Sequence, residues 1–271
     1  MTTFDRITSL HTLPTLPANF ARLISVLNDE QASLRDLEEI IRHDQSLAAR
    51  IVSVANSPGF GYTGYINSLE QAMLLLGVDL IRSLSIGISI FQSFPLPPTV
   101  LKQMWAHAYS VGTMSSLLSR KIANADRGVA FLGGLLHDIG RIILLTLFPD
   151  GYSFRQDPEA IVPTEIERFQ CSHAEAGHHF LKNLYVPDEV SESVLYHHSI
   201  DMSNQHRDII ACVYFAEGLM QILNTAFGGD GLWTDNHLNL FTVYGLGSKE
   251  IDELAAIVAS QEAELMSFFK I

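Results

Sequence analysis

Eleven histidines occur in this chain, and their placement is uneven. His137 and Asp138 are adjacent near the centre of an otherwise apolar run, VAFLGGLLHDIGRIILLTLF (129–148). A carboxylate taken out of water is costly unless it is paired or bound to a metal. Adjacent residues on an ideal helix point about 100° apart, so a site that uses both side chains needs a cleft between helices. Gly140, two residues on, would ease close packing there. Further imidazoles follow: His173 in the pattern His173-x-x-x-Gly177-x-x-x-Leu181, and the pair His197-His198 at the end of a short amphipathic segment that starts near Pro187. Upstream, His107 stands in WAHAYSVG, and Glu217 is the one acid in the apolar stretch ACVYFAEGLM. Imidazoles with carboxylates suit Fe, Mn or Zn, and the share of oxygen donors argues against a thiolate-type structural zinc site.

Each of these residues also has an ordinary reading. A lone buried histidine is more often a satisfied core residue than a ligand. Glu217 alone reads as an ion-paired residue, and His197-His198 beside a loop is ambiguous by itself. His178 and His179 are expected to face solvent on their helix. His11, His43, His206 and His237 have no partner pattern. No single spacing matches a compact metal motif, so the weight rests on the ordered combination.

The elements that must position these groups are helical, and no alternating strand pattern occurs. In 18–29, Phe20, Leu23, Ile24 and Leu27 share one helix face. The next helix opens at Ser33 with Asp36 as its capping-box partner, and Leu37, Ile40 and Ile41 mark its apolar side. Another follows Asp44 and stops at the turn Asn56-Ser57-Pro58-Gly59. A fourth starts at Ser68, with Gln71 as box partner, and runs through Leu80 with Gly77 inside it as a place for close backbone approach. Pro95, Pro97 and Pro98 then break the pattern and divide an N-terminal lobe (1–98) from the rest (99–271). Helices are expected over 99–124, 128–148, 172–184, 188–198 and 206–226, followed by a loop at 228–233 and a final amphipathic helix over 248–269 carrying Ile251, Leu254, Val258 and Leu265.

Composition limits the function classes. A formal charge of −13 repels a phosphate backbone, and the densest basic group is only Arg120-Lys121, so nucleic-acid binding is not expected. Two cysteines, Cys171 and Cys212, are too few for a disulfide framework. The N-terminus lacks a basic region followed by an apolar run, which points to the cytoplasm. Residues 72–91 and 129–148 are apolar enough to suggest membrane spans, but each carries ionisable groups near its middle: Asp79 and Arg82 in one, His137, Asp138 and Arg141 in the other. Both read as buried helices, with no membrane association.

The order His107, His137-Asp138, His173, His197-His198, Glu217 resembles the HD superfamily of metal-dependent phosphohydrolases, specifically the HD-GYP cyclic-dinucleotide phosphodiesterases and their HDOD relatives. The segments LPTLPANFARLISVLND, DLEEIIRHDQSLAARIVSVANSPGFG and INSLEQAMLLLGVDLIRSLSIGIS look like the HDOD signature. With FLGGLLHDIGRIIL and HAEAGHHFLKNLYVPDEVSESVLYHH they extend the resemblance over about 13–220. It implies an all-α fold, an N-terminal helical lobe packed on an HD-like helical core with a C-terminal helical extension, and a role in bacterial signal transduction. Carried over residue by residue, the HD pattern puts one metal on His107, His137, Asp138 and Glu217. A second would sit on Asp138, as bridge, with His173, His197 and His198. Many HDOD proteins have lost most of these ligands, and this sequence retains them. It departs from the catalytic pattern at Glu217, where the family's enzymes usually have Asp, and at Arg141, where Lys is usual. The Gly-Tyr-Pro segment expected after the histidine pair is replaced by SIDMSNQHRD, which argues against cyclic-dinucleotide hydrolysis.

Two functions compete on this evidence. One is a regulatory module that works through signalling-protein partners, or as a homodimer, and holds metal at the retained site. The other is a phosphohydrolase acting on a nucleotide or phosphodiester through a binuclear centre, with Asp138 as bridge and Arg141 clamping phosphate.

Overall fold

The computed structural model describes residues 2–10, 20–29, 33–56, 65–153, 159–222 and 232–257. Among these every regular element is an α-helix, so the chain is all-α. Before the proline break lie α1 (Thr3–Leu10), α2 (Phe20–Leu27), α3 (Leu34–Arg42), α4 (Gln45–Ala55), α5 (Leu69–Leu76) and α6 (Val78–Gln92). After it come α7 (Pro98–Leu118), α8 (Arg127–Leu136), α9 (Ile139–Leu147), α10 (Ile161–Phe169) and α11 (His173–Asn183). Then follow α12 (Asp188–Leu195), α13 (Arg207–Ile222) and α14 (Asp235–Val243). Residues 248–257 are also helical; the expected continuation to 269, with Val258 and Leu265, lies outside the described residues, as do 57–59 of the expected turn, 223–226 and 228–231.

Local chemistry sets most helix starts. Ser33 and Asp36 form the expected reciprocal box at α3, and Asp44 caps α4 through the Leu47 N–H at 3.0 Å. At α5, Ser68 caps as expected, but the Gln71 side chain accepts from the Asn67 N–H and not from Ser68. Pro98 occupies the first turn of α7, where its missing N–H leaves nothing unpaired.

Two breaks differ from the periodic reading. The helix expected to run from Ser68 past Gly77 ends at Leu76, and α6 leaves at an angle of 118° to α5. Gly77 has φ +81°, a left-handed conformation open to glycine, and no neighbouring element lies within 4 Å of where a β-carbon would stand, so its role is the bend. The expected helix over 128–148 is interrupted at His137-Asp138. Asp138 adopts φ −97° and ψ 10°, between regular regions, which brings two side chains that would diverge on an ideal helix into one cleft. Smaller differences are that α7 ends at Leu118, α12 ends at Leu195 and leaves His197-His198 just beyond it, and α1, α10 and α14 occur where no helix was read.

The core is organised around α6 and α8. On α6 every residue from Ser83 to Phe91 is buried, and α2, α3, α4 and α5 pack against it. Its serines remain satisfied in apolar surroundings: Ser85 and Ser89 donate to the carbonyls of Ile81 and Ser85, each at 2.7 Å. Ser83 donates to Gly128 O at 2.8 Å and ties α6 to α8. One buried cluster extends from Ile7 to Val194, and a second joins α7 and α13 with Phe241 of α14. The Arg127–Leu147 stretch is long and apolar enough to cross a bilayer, but 89% of its most apolar window is buried inside this fold.

Glycine contacts set the helix separations that matter for the site. A β-carbon on Gly134 of α8 would lie 2.8 Å from the Gly112 α-carbon on α7. A β-carbon on Gly140 of α9 would lie 1.8 Å from the His173 carbonyl on α11. The first contact brings His107 to His137, and the second brings His173 to Asp138. Gly140→Ala is therefore expected to lower the unfolding free energy by about 1–3 kcal/mol in urea denaturation, since backbone must move to admit a methyl group. Gly151→Ala, whose β-carbon would be no nearer than 3.8 Å to any atom, serves as the near-neutral control.

Candidate metal centre

Four helix ends and two helix interiors bring the site together. His107 comes from the middle of α7, His137 and Asp138 from the α8–α9 junction, and His173 from the first turn of α11. His197 and His198 follow α12, and Glu217 lies within α13. All are buried except His198, which is half-buried. The structure brings all seven residues together as two adjacent groups.

In the first group, His107 Nε2 lies 3.2 Å from both His137 Nε2 and Glu217 Oε2. His137 Nε2 is 3.4 Å from the same carboxylate oxygen. In the second, His173 Nε2 lies 3.2 Å from His197 Nε2 and 2.9 Å from His198 Nε2. Asp138 stands between them. Its Oδ2 is 3.8 Å from His107 and 3.7 Å from His137, and its Oδ1 is 3.6 Å from His173. Arg141, one turn along α9, holds Oδ2 at 3.0 Å.

The far side of each ring decides what the near side offers. His137 Nδ1 is 2.7 Å from Gly134 O, and His197 Nδ1 is 2.6 Å from Val194 O. A carbonyl only accepts, so both Nδ1 atoms carry the proton, and in the neutral ring Nε2 presents its lone pair to the centre. His173 Nδ1 is fixed in the same sense by Glu165 Oε2 at 2.6 Å. Nitrogen lone pairs converging at about 3 Å repel one another unless a proton or a metal ion lies between them. Asp138 Oδ1 is buried without a hydrogen-bond partner among the described residues. The donor set therefore fits divalent cations.

The electrostatics point the same way. Burial by itself disfavours the His137 imidazolium, but the charges of Asp138 and Glu217 outweigh it and carry the group up to about 9. Burial also pushes the Glu217 carboxyl up, and His107 with His137 outweighs this and holds it well below the ordinary carboxylate range. The site selects positive charge. Both cysteines are buried and belong to neither ligand group, and burial pushes the Cys171 thiol up to about 12, against a thiolate there.

Sequence reasoning missed Glu165. This acid is fully buried on α10 and accepts from His173 N–H at 2.7 Å, from His173 Nδ1 and from the Tyr152 hydroxyl at 2.7 Å. It sets the ring orientation and tautomer of His173 from outside the cleft. The available signal was an acid on the buried face of α10, with Ile161 and Phe169 one turn to either side. His178 and His179, expected to face solvent, are half-buried: His178 Nδ1 lies 3.0 Å from Ser191 O, and His179 Nε2 lies 2.8 Å from Thr8 Oγ1. His237 is stacked on Tyr214 at 3.9 Å, and the His206 ring lies 3.0 Å from the Gln205 amide nitrogen, outside the centre. His43 is exposed at the end of α3, and His11 lies outside the described residues.

The HDOD domain model matches residues 13–200. The chain belongs to the HDOD family. In sequence it is similar to an uncharacterised protein of Treponema pallidum (strain Nichols), with 21% identity over 231 residues, 81% of this chain and 44% of that protein. In structure it is similar to a proposed signal transduction protein of Marinobacter aquaeolei VT8, with TM-score 0.78, 21% identity and coverage of 99% of this chain and 61% of the other. It is also similar to a proposed metal-dependent phosphohydrolase of Shewanella amazonensis SB2B, with TM-score 0.63, 20% identity and full coverage of both chains (100% and 100%). This HDOD chain thus spans less than half of the Treponema relative and under two thirds of the Marinobacter one. At these identities the structural likeness establishes the fold.

Glu165→Ala removes the acceptor for three donors in a dry site, and the unfolding free energy is expected to fall by roughly 3–5 kcal/mol. Tyr152→Phe, which removes one donor, should cost about 1 kcal/mol. Urea denaturation of the two variants checks the ranking; an Ala variant no weaker than the Phe variant would contradict the arrangement.

Proposed function

We propose that this HDOD chain is a signal-transduction module that holds a pair of divalent metal ions, Fe, Mn or Zn, in the cleft around Asp138. The observation that carries the reading is the two-sided carboxylate: Oδ2 faces His107 and His137, and Oδ1 faces His173. One ion would be held by His107, His137, Asp138 and Glu217. The other would be held by Asp138, His173, His197 and His198. The N-terminal lobe (1–98) and the HD-like core (99–271) would form its two parts, and its output would pass through protein partners or a second copy of the chain. The proposed signalling role of the Marinobacter relative supports this assignment.

A second reading, a phosphohydrolase acting on a nucleotide or phosphodiester, is favoured by Arg141. Its guanidinium is buried at the edge of the cleft and bonded to the bridging carboxylate. Bound divalent ions would supply Lewis acidity, polarising a phosphoryl oxygen and easing deprotonation of water. The chain's own contribution is orientation. Gly134 O, Val194 O and Glu165 aim the ring nitrogens, Asp138 holds both groups together, and Arg141 can offer a fork to phosphate.

Elemental analysis of protein purified without a histidine tag tests the metal assignment. Wild type is expected to retain divalent metal, Asp138→Ala to lose it, and the exposed Asp79→Ala to keep it. Unchanged metal in Asp138→Ala would overturn the ligand set. Turnover of bis(p-nitrophenyl) phosphate that is abolished in His137→Ala and kept in His206→Ala would establish the hydrolase reading; no turnover by metal-loaded protein leaves the signalling reading in place.

A further inference from the structure

A second concave site lies away from the metal centre. A cavity of about 860 Å³ opens between α4, α6 and α7, within the range of small-molecule sites. Its floor is apolar. Ile88 and Phe91 come from the buried face of α6, and Leu101 and Trp105 come from α7. Trp105 meets Phe91 edge to face, with ring centroids 5.0 Å apart, and its own ring is half-buried. Two cations stand at the rim, Arg50 on α4 and Lys102 on α7, both exposed.

The charge pattern gives the cavity its selectivity. This chain has 30 acidic and 17 basic residues, and several exposed cations pair with acids, as Arg42 does with Glu38, Lys121 with Glu253 and Lys182 with Asp188, while Arg35, Arg120 and Arg168 stand outside any ion pair among the described residues and line no part of this cavity. Arg50 and Lys102 have no ion-pair partner among the described residues. Two uncompensated positive charges thus flank an apolar floor on a protein whose net charge is strongly negative. An anion without an apolar body would gain little from the floor. An apolar molecule without charge would leave the cations unused.

We propose that this cavity binds a small amphipathic anion: an aliphatic or aromatic body against Trp105, Phe91, Ile88 and Leu101, with one carboxylate or phosphate group held by Arg50 and Lys102. The site goes beyond the metal centre and does not depend on it. Trp105 and His107 lie two residues apart on α7, so an occupant touches the helix that also carries a residue of the metal centre.

The test uses the intrinsic fluorescence of Trp105 in full-length Trp233→Phe protein, titrated with decanoate, decyl phosphate and decanol below their aggregation limits. Calorimetry on the unmodified chain runs in parallel, in case the Trp233 change disturbs folding. Saturable binding of one or both anions is expected, about tenfold or more tighter than decanol. The preferred head group separates a carboxylate ligand from a phosphate one. In Arg50→Ala/Lys102→Ala, with unchanged helical circular dichroism, anion affinity should fall by about tenfold or more while decanol is unaffected. Ser53→Phe, on the cavity wall, should weaken all three. No saturable binding of either anion, equal affinity for decanol, or full affinity in the double variant would overturn the proposal. So would saturation by an acidic amphipathic peptide with no response to the small anions.

Discussion

Ionisable side chains packed into the interior of a helical protein must answer one another's charge, because water cannot. In this fold His107, His137, His173 and His197 are buried with Asp138 and Glu217, and every one of the imidazoles turns Nε2 toward a neighbouring Nε2. Lone pairs at that spacing are tolerable only around positive charge. The acids supply the matching demand. The Glu217 carboxyl is held ionised by its two histidines, and His137 is driven toward its charged form by two carboxylates. The remaining architecture keeps this cluster closed, aligned and dry.

Alignment comes from helix separation more than from the side chains themselves. The α7–α8 and α9–α11 crossings are close because Gly134 faces Gly112 and Gly140 faces the His173 carbonyl. A residue with a β-carbon at either crossing would push apart two members of the centre. The outer ring nitrogens of His137 and His197 are then pinned by backbone carbonyls one turn earlier, and that of His173 by Glu165, so that these three imidazoles each have one tautomer and one direction. Preorganisation of this kind serves a structural metal and a catalytic one equally, which is why both remain consistent with one arrangement.

Beside that centre stands an N-terminal helical region that, among the described residues, adds no chemical group to it. Helices α2 to α5 pack on α6, and α6 packs on α8, which ends at His137. The cavity beside α4 lies on this same line, with α7 as its other wall. Helix α7 thus borders the cavity through Leu101, Lys102 and Trp105 and the metal-type cluster through His107.

Much of this was legible along the chain. Apolar periodicity marked α2 to α4, α7 to α9 and α11 to α13, the caps at Ser33, Asp44 and Ser68 were readable, and the resemblance named the residues that meet in the cleft. Local signals of that sort need only neighbours in sequence. Three things were not legible. Gly77, read along the chain as a helix-interior residue for close backbone approach, is instead the bend between α5 and α6. The interruption at His137-Asp138 has no breaker residue, and it arises from the cleft that both side chains enter. Glu165 reads as an ordinary acid until α10 is laid against α11. Residue order alone thus specifies an all-helical HDOD chain with an unusual stock of imidazoles. Helix packing sets which oxygen of Asp138 faces which histidines, which nitrogen His137, His173 and His197 present, and which acid supports His173. Those relations depend on distances between helices far apart in the chain, and they are fixed by how closely the backbones can approach.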